Sequence, residues 1–365
     1  MRKRYQKWMY DWETRLTTRD TNRVVRPFEW GLEWARAWPG VDGKLPGGER
    51  VTESFRALNR ELVAESDQFF AYPTPTDFRL ERHVPAHFTA RERRAGLGHA
   101  KRKAPYLRFT SPVESPYEEN NTVSARWFPA RGRRAVVLLP QWNSDAEGHN
   151  ALGRLLNLAG IAALRMSMPY HDVRMPRELE RADYAVSANL GRTIAAARQA
   201  VIEVRCCLDW LEQQGYTNLG ILGTSLGSCY AFIAAAHDPR LRVCGFNHAS
   251  TYFADVVWTG QSTRHIRAGV EEAITLEELR DCWLAISPMA YFDKFQRFPK
   301  KSLIVYATYD LTFLPEFSRQ VVAEFERRKL DHEVAVLPCG HYTTGETPFK
   351  YVDAYKLISF FRRSF

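Results

Sequence analysis

The fold is decided by residues 219–236, which read LGILGTSLGSCYAFIAAA. Residues 219–222 have the apolar pattern of a buried strand, and the small, apolar residues from 228 onward are typical of a tightly packed helix. Between them stands Gly223-Thr224-Ser225-Leu226-Gly227, a G-x-S-x-G sequence. Composition alone produces such a match about 0.1 times in a chain of this size. The significance of the G-x-S-x-G match therefore depends mostly on the strand and the helix that flank it.

A strand that turns sharply into a helix exposes the residue at the turn. A side chain at position 223 or 227 would meet neighbouring backbone, so glycine is expected there for a steric reason. The geometry would raise Ser225 Oγ above the edge of the sheet and place it at a helix N-terminus. The backbone N–H of Leu226 would then face an oxyanion that develops on a carbonyl attacked by this serine.

A serine hydroxyl becomes a good nucleophile only when a base takes its proton and an acid orients that base. Asp310 follows a predicted strand at 303–307, and His341 follows the last predicted strand at 333–337. Both would lie at the carboxyl ends of their strands, as Ser225 does. The order of nucleophile, acid and base along the chain is the order expected for this type of fold.

Other interpretations of these residues stay open at this point. Asp310 could cap a helix that begins near Pro315, with Asp331 or Glu333 serving as the acid. His341 could be a loop histidine without a chemical role.

These motifs resemble those of the α/β-hydrolase superfamily over about residues 107–365. The resemblance implies that Ser225 accepts the acyl group, that His341 is the base and then the acid, and that Asp310 orients the imidazole. It also implies a second oxyanion donor after the third strand, where the family often has His-Gly and this chain has Leu139-Pro140-Gln141-Trp142-Asn143. We carry this role over to the backbone N–H of Gln141 or Trp142. The sequence has no Rossmann G-x-G-x-x-G, Walker A or zinc-ligand spacing, so we expect no cofactor and no metal.

The wider pattern predicts an α/β fold with a mostly parallel central sheet and helices on both faces. Apolar segments alternate with helical periodicities from residue 135 onward. The strands are predicted at 107–110, 122–128, 135–139, 161–166, 219–222, 243–247, 303–307 and 333–337, and the helices at 147–159, 192–214, 226–237, 315–329 and 346–363.

Two segments fall outside this alternation. Residues 251–290 are too long for a short connection and contain a capping box, Thr275-x-x-Glu278, so we interpret them as a helical insertion that acts as a lid. Residues 1–106 form a basic extension with five Trp between positions 8 and 38. So many indole rings are hard to leave in water, and we expect the extension to pack on the hydrolase core.

Four residues near the predicted sheet edge are candidates for lining a substrate pocket: His171, His248, Tyr252 and Trp258. Each also has a structural interpretation, as a hydrogen-bonded histidine or as part of the apolar core of the insertion. Three arginines near the same edge, Arg165, Arg174 and Arg177, could recognise an anionic group or could be solvated surface residues.

Charge and cysteine content limit the classes of function. The chain of 365 residues has a net charge of +9, and residues 1–134 hold 26 Lys/Arg against 17 Asp/Glu. The basic segments 91–94 and 101–103 lack any nucleic-acid-binding motif, so no nucleic-acid partner is expected. Six Cys without metal or redox spacing predict reduced, buried thiols. With no apolar run of about 18 residues and no signal peptide pattern, we expect no membrane span and a cytoplasmic location.

The sequence therefore predicts a cofactor-free serine hydrolase that cleaves a small-molecule carboxylic ester. An oligopeptidase-like amidase, or an acyltransferase or thioesterase with the same three residues, is the nearest alternative, because the fold does not choose the leaving group. A further alternative is a non-catalytic scaffold that binds nucleic acid or a membrane through its basic extension. The sequence does not indicate the oligomeric state.

Overall fold

The structure is a computed structural model that describes residues 2–41, 51–83 and 104–365. Within these residues nine strands pair into one sheet. They are β1 (Arg79–His83), β2 (Ala104–Thr110), β3 (Thr122–Phe128), β4 (Arg134–Leu139), β5 (Ala162–Met166), β6 (Asn218–Thr224), β7 (Leu241–Asn247), β8 (Lys301–Ala307) and β9 (His332–Leu337). The basic segments 91–94 and 101–103 lie outside the described residues.

The strand order across the sheet is β1-β2-β3-β5-β4-β6-β7-β8-β9. The pairs from β1 to β5 are antiparallel, and all pairs from β5 to β9 are parallel. The predicted α/β class with a mostly parallel sheet is confirmed. All eight predicted strands are present with ends shifted by at most three residues, whereas β1 was not predicted. Its sequence, RLERH, is too polar to stand out as a strand and lies at the edge of the sheet.

Helices connect the strands and precede them. They are α1 (Arg2–Thr18), α2 (Leu32–Ala35), α3 (Val51–Ala64), α4 (Ser66–Phe69), α5 (Asn150–Leu158), α6 (Leu190–Gln213), α7 (Leu226–His237), α8 (Phe253–Thr259), α9 (Arg264–Val270), α10 (Leu276–Cys282), α11 (Phe292–Phe295), α12 (Pro315–Arg327) and α13 (Phe349–Ser364). The five predicted helices correspond to α5, α6, α7, α12 and α13. No helix among the described residues is long and apolar enough to cross a membrane.

Strand β4 shows how the sheet is covered on both faces. Its residues 135–139 are all fully buried. Ala135, Val137 and Leu139 join the larger core with α6 and α7, whereas Val136 and Leu138 join a second core with α5 and α13. Successive side chains of a strand point to opposite faces, so a strand buried on both faces needs the continuous apolar run seen in the sequence. All six cysteines are free and buried, as predicted.

The insertion 251–290 forms α8, α9 and α10 between β7 and β8. The predicted capping box is present, with the Thr275 and Glu278 side chains each bonded to the other residue's backbone N–H. Trp283 is fully buried. Helix α10 packs against α3, and Arg56 Nε donates to Asp281 Oδ2 at 2.7 Å. The insertion is therefore anchored to the N-terminal region.

The N-terminal region contacts the rest of the chain at several points. Trp38 is buried, Trp12, Trp30 and Trp34 are half-buried, and Trp8 remains 47% exposed. Strand β1 of this region pairs with β2, and the boundary we expected at residue 107 falls inside β2.

Candidate active site

Ser225 stands at the junction of β6 and α7. Its backbone has φ 57° and ψ −122°, a positive-φ conformation that residues other than glycine rarely adopt. Its N–H donates to the carbonyl of Asn247 at 2.7 Å, and its carbonyl accepts the hydroxyl of Ser228 at 2.6 Å. These bonds hold the strained turn and place Ser225 at the carboxyl edge of the sheet.

The two glycines of the turn are required for the steric reason that the sequence predicted. A Cβ on Gly223 would lie 2.1 Å from the carbonyl oxygen of Gly227. A Cβ on Gly227 would lie 2.4 Å from the carbonyl oxygen of Leu139. Both distances are impossible for carbon and oxygen, so the turn can be this tight only with glycine at both positions.

Three side chains that are far apart in sequence form one hydrogen-bonded chain. His341 Nε2 lies 3.0 Å from Ser225 Oγ, and His341 Nδ1 lies 2.9 Å from Asp310 Oδ2. They come from the loops after β6, β8 and β9, which meet because the carboxyl ends of parallel strands share one edge of the sheet. With its proton on Nδ1, the imidazole presents an unprotonated Nε2 to the serine hydroxyl.

Asp310 is fixed by its second carboxylate oxygen. Asp310 Oδ1 accepts the backbone N–H groups of Thr312 and Phe313 at 2.8 and 2.7 Å. Its side chain thus closes a turn ahead of α12 while Oδ2 faces the imidazole. Of the alternative acids, Asp331 is exposed and Glu333 pairs with Arg363 at 2.8 Å.

A second imidazole shares the same carboxylate oxygen. His248 Nδ1 lies 2.9 Å from Asp310 Oδ2, and the rings of His248 and His341 are 4.4 Å apart between centroids. Burial, reinforced by repulsion from His341, lowers the pKa of His248. Burial also disfavours charge on His341, but attraction and the hydrogen bond to Asp310 outweigh it and raise the pKa of His341. His341 is therefore the imidazole that accepts a proton more readily.

Asp310 itself stays ionised. Burial would raise the pKa of this carboxyl group, but the nearby imidazoles of His341 and His248 hold its pKa far below the usual range. A buried carboxylate next to a histidine stabilises the imidazolium that forms when the base takes a proton.

The same three residues, His248, Asp310 and His341, are the group within the described chain whose ligand atoms cluster closely enough to consider a metal ion. Both Nδ1 atoms contact Asp310 Oδ2 at 2.9 Å, which is a hydrogen-bond distance. A tetrahedral zinc ion with each ligand atom at about 2.0–2.2 Å would instead hold those atoms roughly 3.3–3.6 Å from one another. The observed contacts are those of a hydrogen-bonded cluster.

A cavity of about 790 Å³ opens at this edge of the sheet, and Ser225, Leu226, His248 and His341 line it. Gln141 and Trp142 line it as well, in the loop after β4. Leu226 is the first residue of α7, and the first N–H groups of a helix have no partner within the helix. The residues expected to supply oxyanion donors therefore border the same cavity as the serine.

Comparison with known proteins agrees with this architecture. The acetyl xylan esterase 1 of Thermoanaerobacterium sp. JW/SL YS485 superposes with a TM-score of 0.56, and the match covers 93% of this chain and 100% of that one at 13% identity. This chain has the α/β-hydrolase fold. Residues 116–281 of this chain match the family described as alpha/beta hydrolase domain containing 18. The matched part includes Ser225 but neither Asp310 nor His341.

Two further structures share the α/β-hydrolase fold with this chain. The acetyl xylan esterase of Paenibacillus sp. R4 matches 87% of this chain and 96% of its own, with a TM-score of 0.55 and 12% identity. The acylaminoacyl peptidase of Pyrococcus horikoshii matches 72% of this chain but only 46% of its own, with a TM-score of 0.56 and 10% identity.

Within this fold, three of the four predicted pocket residues are not among the residues that line the cavity. His171 is buried, and its Nδ1 contacts the carbonyl of Pro169 at 2.8 Å. Tyr252 and Trp258 lie in the insertion beside the Arg280 and Arg267 guanidinium groups. Of the four, only His248 is among the described residues that line the cavity. We therefore correct the assignment of the other three, because each is held by its own local contacts.

The three arginines also do not form an anion site at the rim of the cavity. Arg165 and Arg174 are buried and hold ion pairs, with Asp172 at 3.1 Å and with Glu203 at 2.6 Å. The side chain of Arg177 is 94% exposed.

Two residues of this site were not predicted from the sequence. His149, with φ 66°, lines the cavity and its Nε2 lies 2.8 Å from Thr224 Oγ1. Burial, together with the charge of Arg165, lowers the pKa of His149 to about 3, so this ring is neutral. Glu13 of α1 is fully buried against the loop that carries His341. Neither residue belongs to a sequence motif. The one sequence signal for Glu13 is its four-residue spacing from Met9 and Thr17, which places all three on the buried face of α1.

Proposed function

We propose that this α/β-hydrolase-fold protein is a serine hydrolase that cleaves a carboxylic ester through an acyl-enzyme on Ser225. The observation that carries the proposal is the continuous chain from Ser225 Oγ through His341 to Asp310, with both hydrogen bonds between 2.9 and 3.0 Å. This is the arrangement that converts a serine hydroxyl into a nucleophile.

The reaction begins when Ser225 Oγ attacks the ester carbonyl and its proton passes to His341 Nε2. The backbone N–H of Leu226, with that of Gln141 or Trp142, stabilises the oxyanion of the tetrahedral intermediate. The intermediate collapses, the C–O bond to the alcohol breaks, and His341 returns the proton to the departing oxygen. Water, deprotonated by His341, then attacks the acyl-enzyme and releases the acid and the free serine.

Cavity size and similarity to known proteins support a small-molecule ester as substrate. A cavity of about 790 Å³ falls in the range of small-molecule sites. The two acetyl xylan esterases match over nearly their whole length, whereas the acylaminoacyl peptidase matches over less than half of its own. We therefore favour ester hydrolysis over amide hydrolysis.

Hydrolysis of a p-nitrophenyl ester series from acetyl to long acyl chains tests the proposal, with a peptide anilide in parallel. We expect turnover of esters in excess of the anilide, and loss of that turnover in Ser225→Ala. Faster hydrolysis of the anilide would favour the amidase. Salt-dependent binding of nucleic acid or anionic vesicles that survives Ser225→Ala, without any turnover, would favour the non-catalytic scaffold.

Three further expectations stay predictions. They are the lid function of the insertion 251–290, the cytoplasmic location, and the lack of a nucleic-acid partner. The structure adds to the first of these that Phe253, Val256 and Val257 of the insertion line the cavity.

A further inference from the structure

Helix α1 lies far from the nucleophile in sequence but reaches the loop of the base. Glu13 is fully buried, as is Thr17 one turn later. An isolated buried carboxylate is costly unless hydrogen bonds compensate the lost hydration. The partners of Glu13 therefore show why it is there.

The hydrogen bonds to the Glu13 carboxylate come from the loop that carries His341. Oε1 accepts the N–H of Tyr342 at 2.9 Å, and Oε2 accepts the N–H and the hydroxyl of Thr343, both at 3.0 Å. The Thr343 hydroxyl in turn accepts the N–H of Gly340 at 2.6 Å. Residues on both sides of His341 are thus tied to one side chain of another element.

The conformation of the loop also places Gly340 directly against the Glu13 side chain. A Cβ on Gly340 would lie 2.3 Å from Glu13 Oε2 and 2.4 Å from its carboxyl carbon. A side chain at position 340 would therefore require the Glu13 carboxylate to move away from the loop.

Burial raises the pKa of Glu13, and the hydrogen bonds from the Tyr342 and Thr343 N–H groups act in the opposite direction. All three groups that bond to Glu13 are donors, which fits an ionised carboxylate. The titratable groups around His341 are Asp310 after β8, His248 after β7, the neighbouring Tyr342, and Glu13 from α1. Of these, Asp310 and Glu13 supply negative charge that favours the imidazolium form of His341.

We propose that Glu13 is a positioning residue that holds the loop 340–343 so that His341 Nε2 stays on Ser225 Oγ. The inference rests on the proposed serine hydrolase function and extends it, because it makes α1 a part of the working site. Glu13 acts through His341 and does not itself touch the reacting atoms.

The test compares Glu13→Gln with Asp11→Asn in the full-length chain. Asp11 lies on the same helix, is 58% exposed, and pairs with Lys7 at the surface. The glutamine keeps one acceptor but turns an NH₂ group toward a backbone N–H, so the loop loses part of its support. The rate constant for fluorophosphonate labelling of Ser225 is measured against pH, with the folded fraction measured by circular dichroism.

For Glu13→Gln we expect the plateau rate constant to fall about tenfold or more, since small displacements of a reacting group are costly. We also expect the acidic limb of the profile to move to lower pH, because a negative charge near His341 is removed. Asp11→Asn should change neither quantity. Glu13→Asp should keep the wild-type midpoint and recover only part of the rate, because the charge remains and the reach is shorter.

Two results would overturn the inference. One is a folded Glu13→Gln that labels at the wild-type rate. The other is a loss at every pH in proportion to the unfolded fraction, which would mean that α1 only stabilises the fold. If Glu13→Gln does not fold, Thr343→Val removes the hydroxyl that links Gly340 to Glu13, and it should lower the rate constant severalfold. An unchanged rate in that variant would equally contradict the inference.

The two proposals fail in distinguishable ways. Wild-type protein that is not labelled contradicts the serine hydrolase. The pKa of His341, followed by NMR titration, does not depend on activity. A lower pKa in Glu13→Gln would support the contact of Glu13 with the His341 loop even then, and an unchanged pKa would contradict it.

Discussion

Two buried carboxylates in this molecule have their negative charge balanced by different kinds of side chain. Glu203 on α6 forms a two-pronged ion pair with Arg174, in which both N–O distances are 2.6 Å and both side chains are fully buried. Asp310 instead meets two imidazoles at a single oxygen, and one of these imidazoles faces a serine at the edge of a cavity.

The two sites differ in the group that faces the carboxylate, which is a guanidinium at Glu203 and an imidazole at Asp310. A guanidinium does not exchange its proton near neutral pH, and both side chains of the Glu203 pair are closed off from solvent. An imidazole gains and loses a proton near neutral pH, so the charge balance at Asp310 can change during a reaction. The first arrangement stabilises the fold, and the second fits the base and the orienting acid of the serine hydrolase that we propose.

The largest expected effect follows from breaking the second arrangement. Asp310→Asn keeps the Oδ1 acceptor for Thr312 and Phe313 but replaces the charged oxygen with an NH₂ group that faces two Nδ1–H donors. We expect the rate of ester hydrolysis to fall about 10³- to 10⁴-fold with the protein still folded, because the imidazole loses its orientation and its counter-charge. Steady-state kinetics with a p-nitrophenyl ester measures this. A fall of less than tenfold would show that Asp310 does not orient His341.

Breaking the first arrangement should affect stability and leave the chemistry intact. Glu203→Gln leaves Arg174 with an uncompensated buried charge, and we expect a loss of about 3–5 kcal/mol in the free energy of unfolding. Urea titration followed by circular dichroism measures it. Glu333→Gln is the matched control, because its pair with Arg363 is about half exposed and should contribute less than about 1 kcal/mol. Equal losses in the two variants would contradict the distinction.

A smaller effect is expected from the second imidazole. His248 has φ 58°, a conformation that asparagine tolerates, so His248→Asn can keep the backbone. It removes one of the two ring contacts to Asp310 Oδ2, and we expect kcat/KM to fall about tenfold, well short of the Asp310 variant, because His341 keeps its own contact. A loss as large as that of His341→Ala would mean that His248 takes part directly in proton transfer.

The smallest expected effect is a shift in pH dependence. The base must be neutral to accept the serine proton, and attraction to Asp310, outweighing burial, raises the pKa of His341. The protonated, inactive form therefore persists to higher pH than for a free imidazole. The midpoint of the acidic limb of kcat/KM should lie above the ordinary value of about 6.5. A midpoint below that value would mean that the charge of Asp310 does not raise the pKa of His341.

The sequence was most informative where one residue type is physically required. Gly223 and Gly227 flank the turn because no side chain fits, and the alternation of apolar runs marked the strands β4 to β9. Once the parallel strands were predicted, the loops after them had to meet at one edge. The sequence therefore predicted that Ser225, Asp310 and His341 lie close together.

The remaining features depend on packing between segments that are distant in sequence. Nothing near Glu13 indicates that α1 reaches the loop after β9, and nothing near His248 indicates that it shares Asp310 with His341. His171 follows a predicted strand as the residues of the site do, and Arg165 lies near the end of that strand. In the interior, however, Arg165 bonds to Asp172 and the His171 ring bonds to the carbonyl of Pro169. Contacts between distant segments decide which side of a loop faces a cavity. Hydrophobic periodicity in the sequence does not predict these contacts.

We propose above all that Ser225 is an activated nucleophile. The most direct test is incubation of the full-length protein with a fluorophosphonate probe, followed by intact mass measurement and peptide mapping. The account predicts one covalent adduct per chain, located on Ser225 and lost in Ser225→Ala. A folded protein that forms no adduct, or one whose adduct persists in Ser225→Ala, would contradict it.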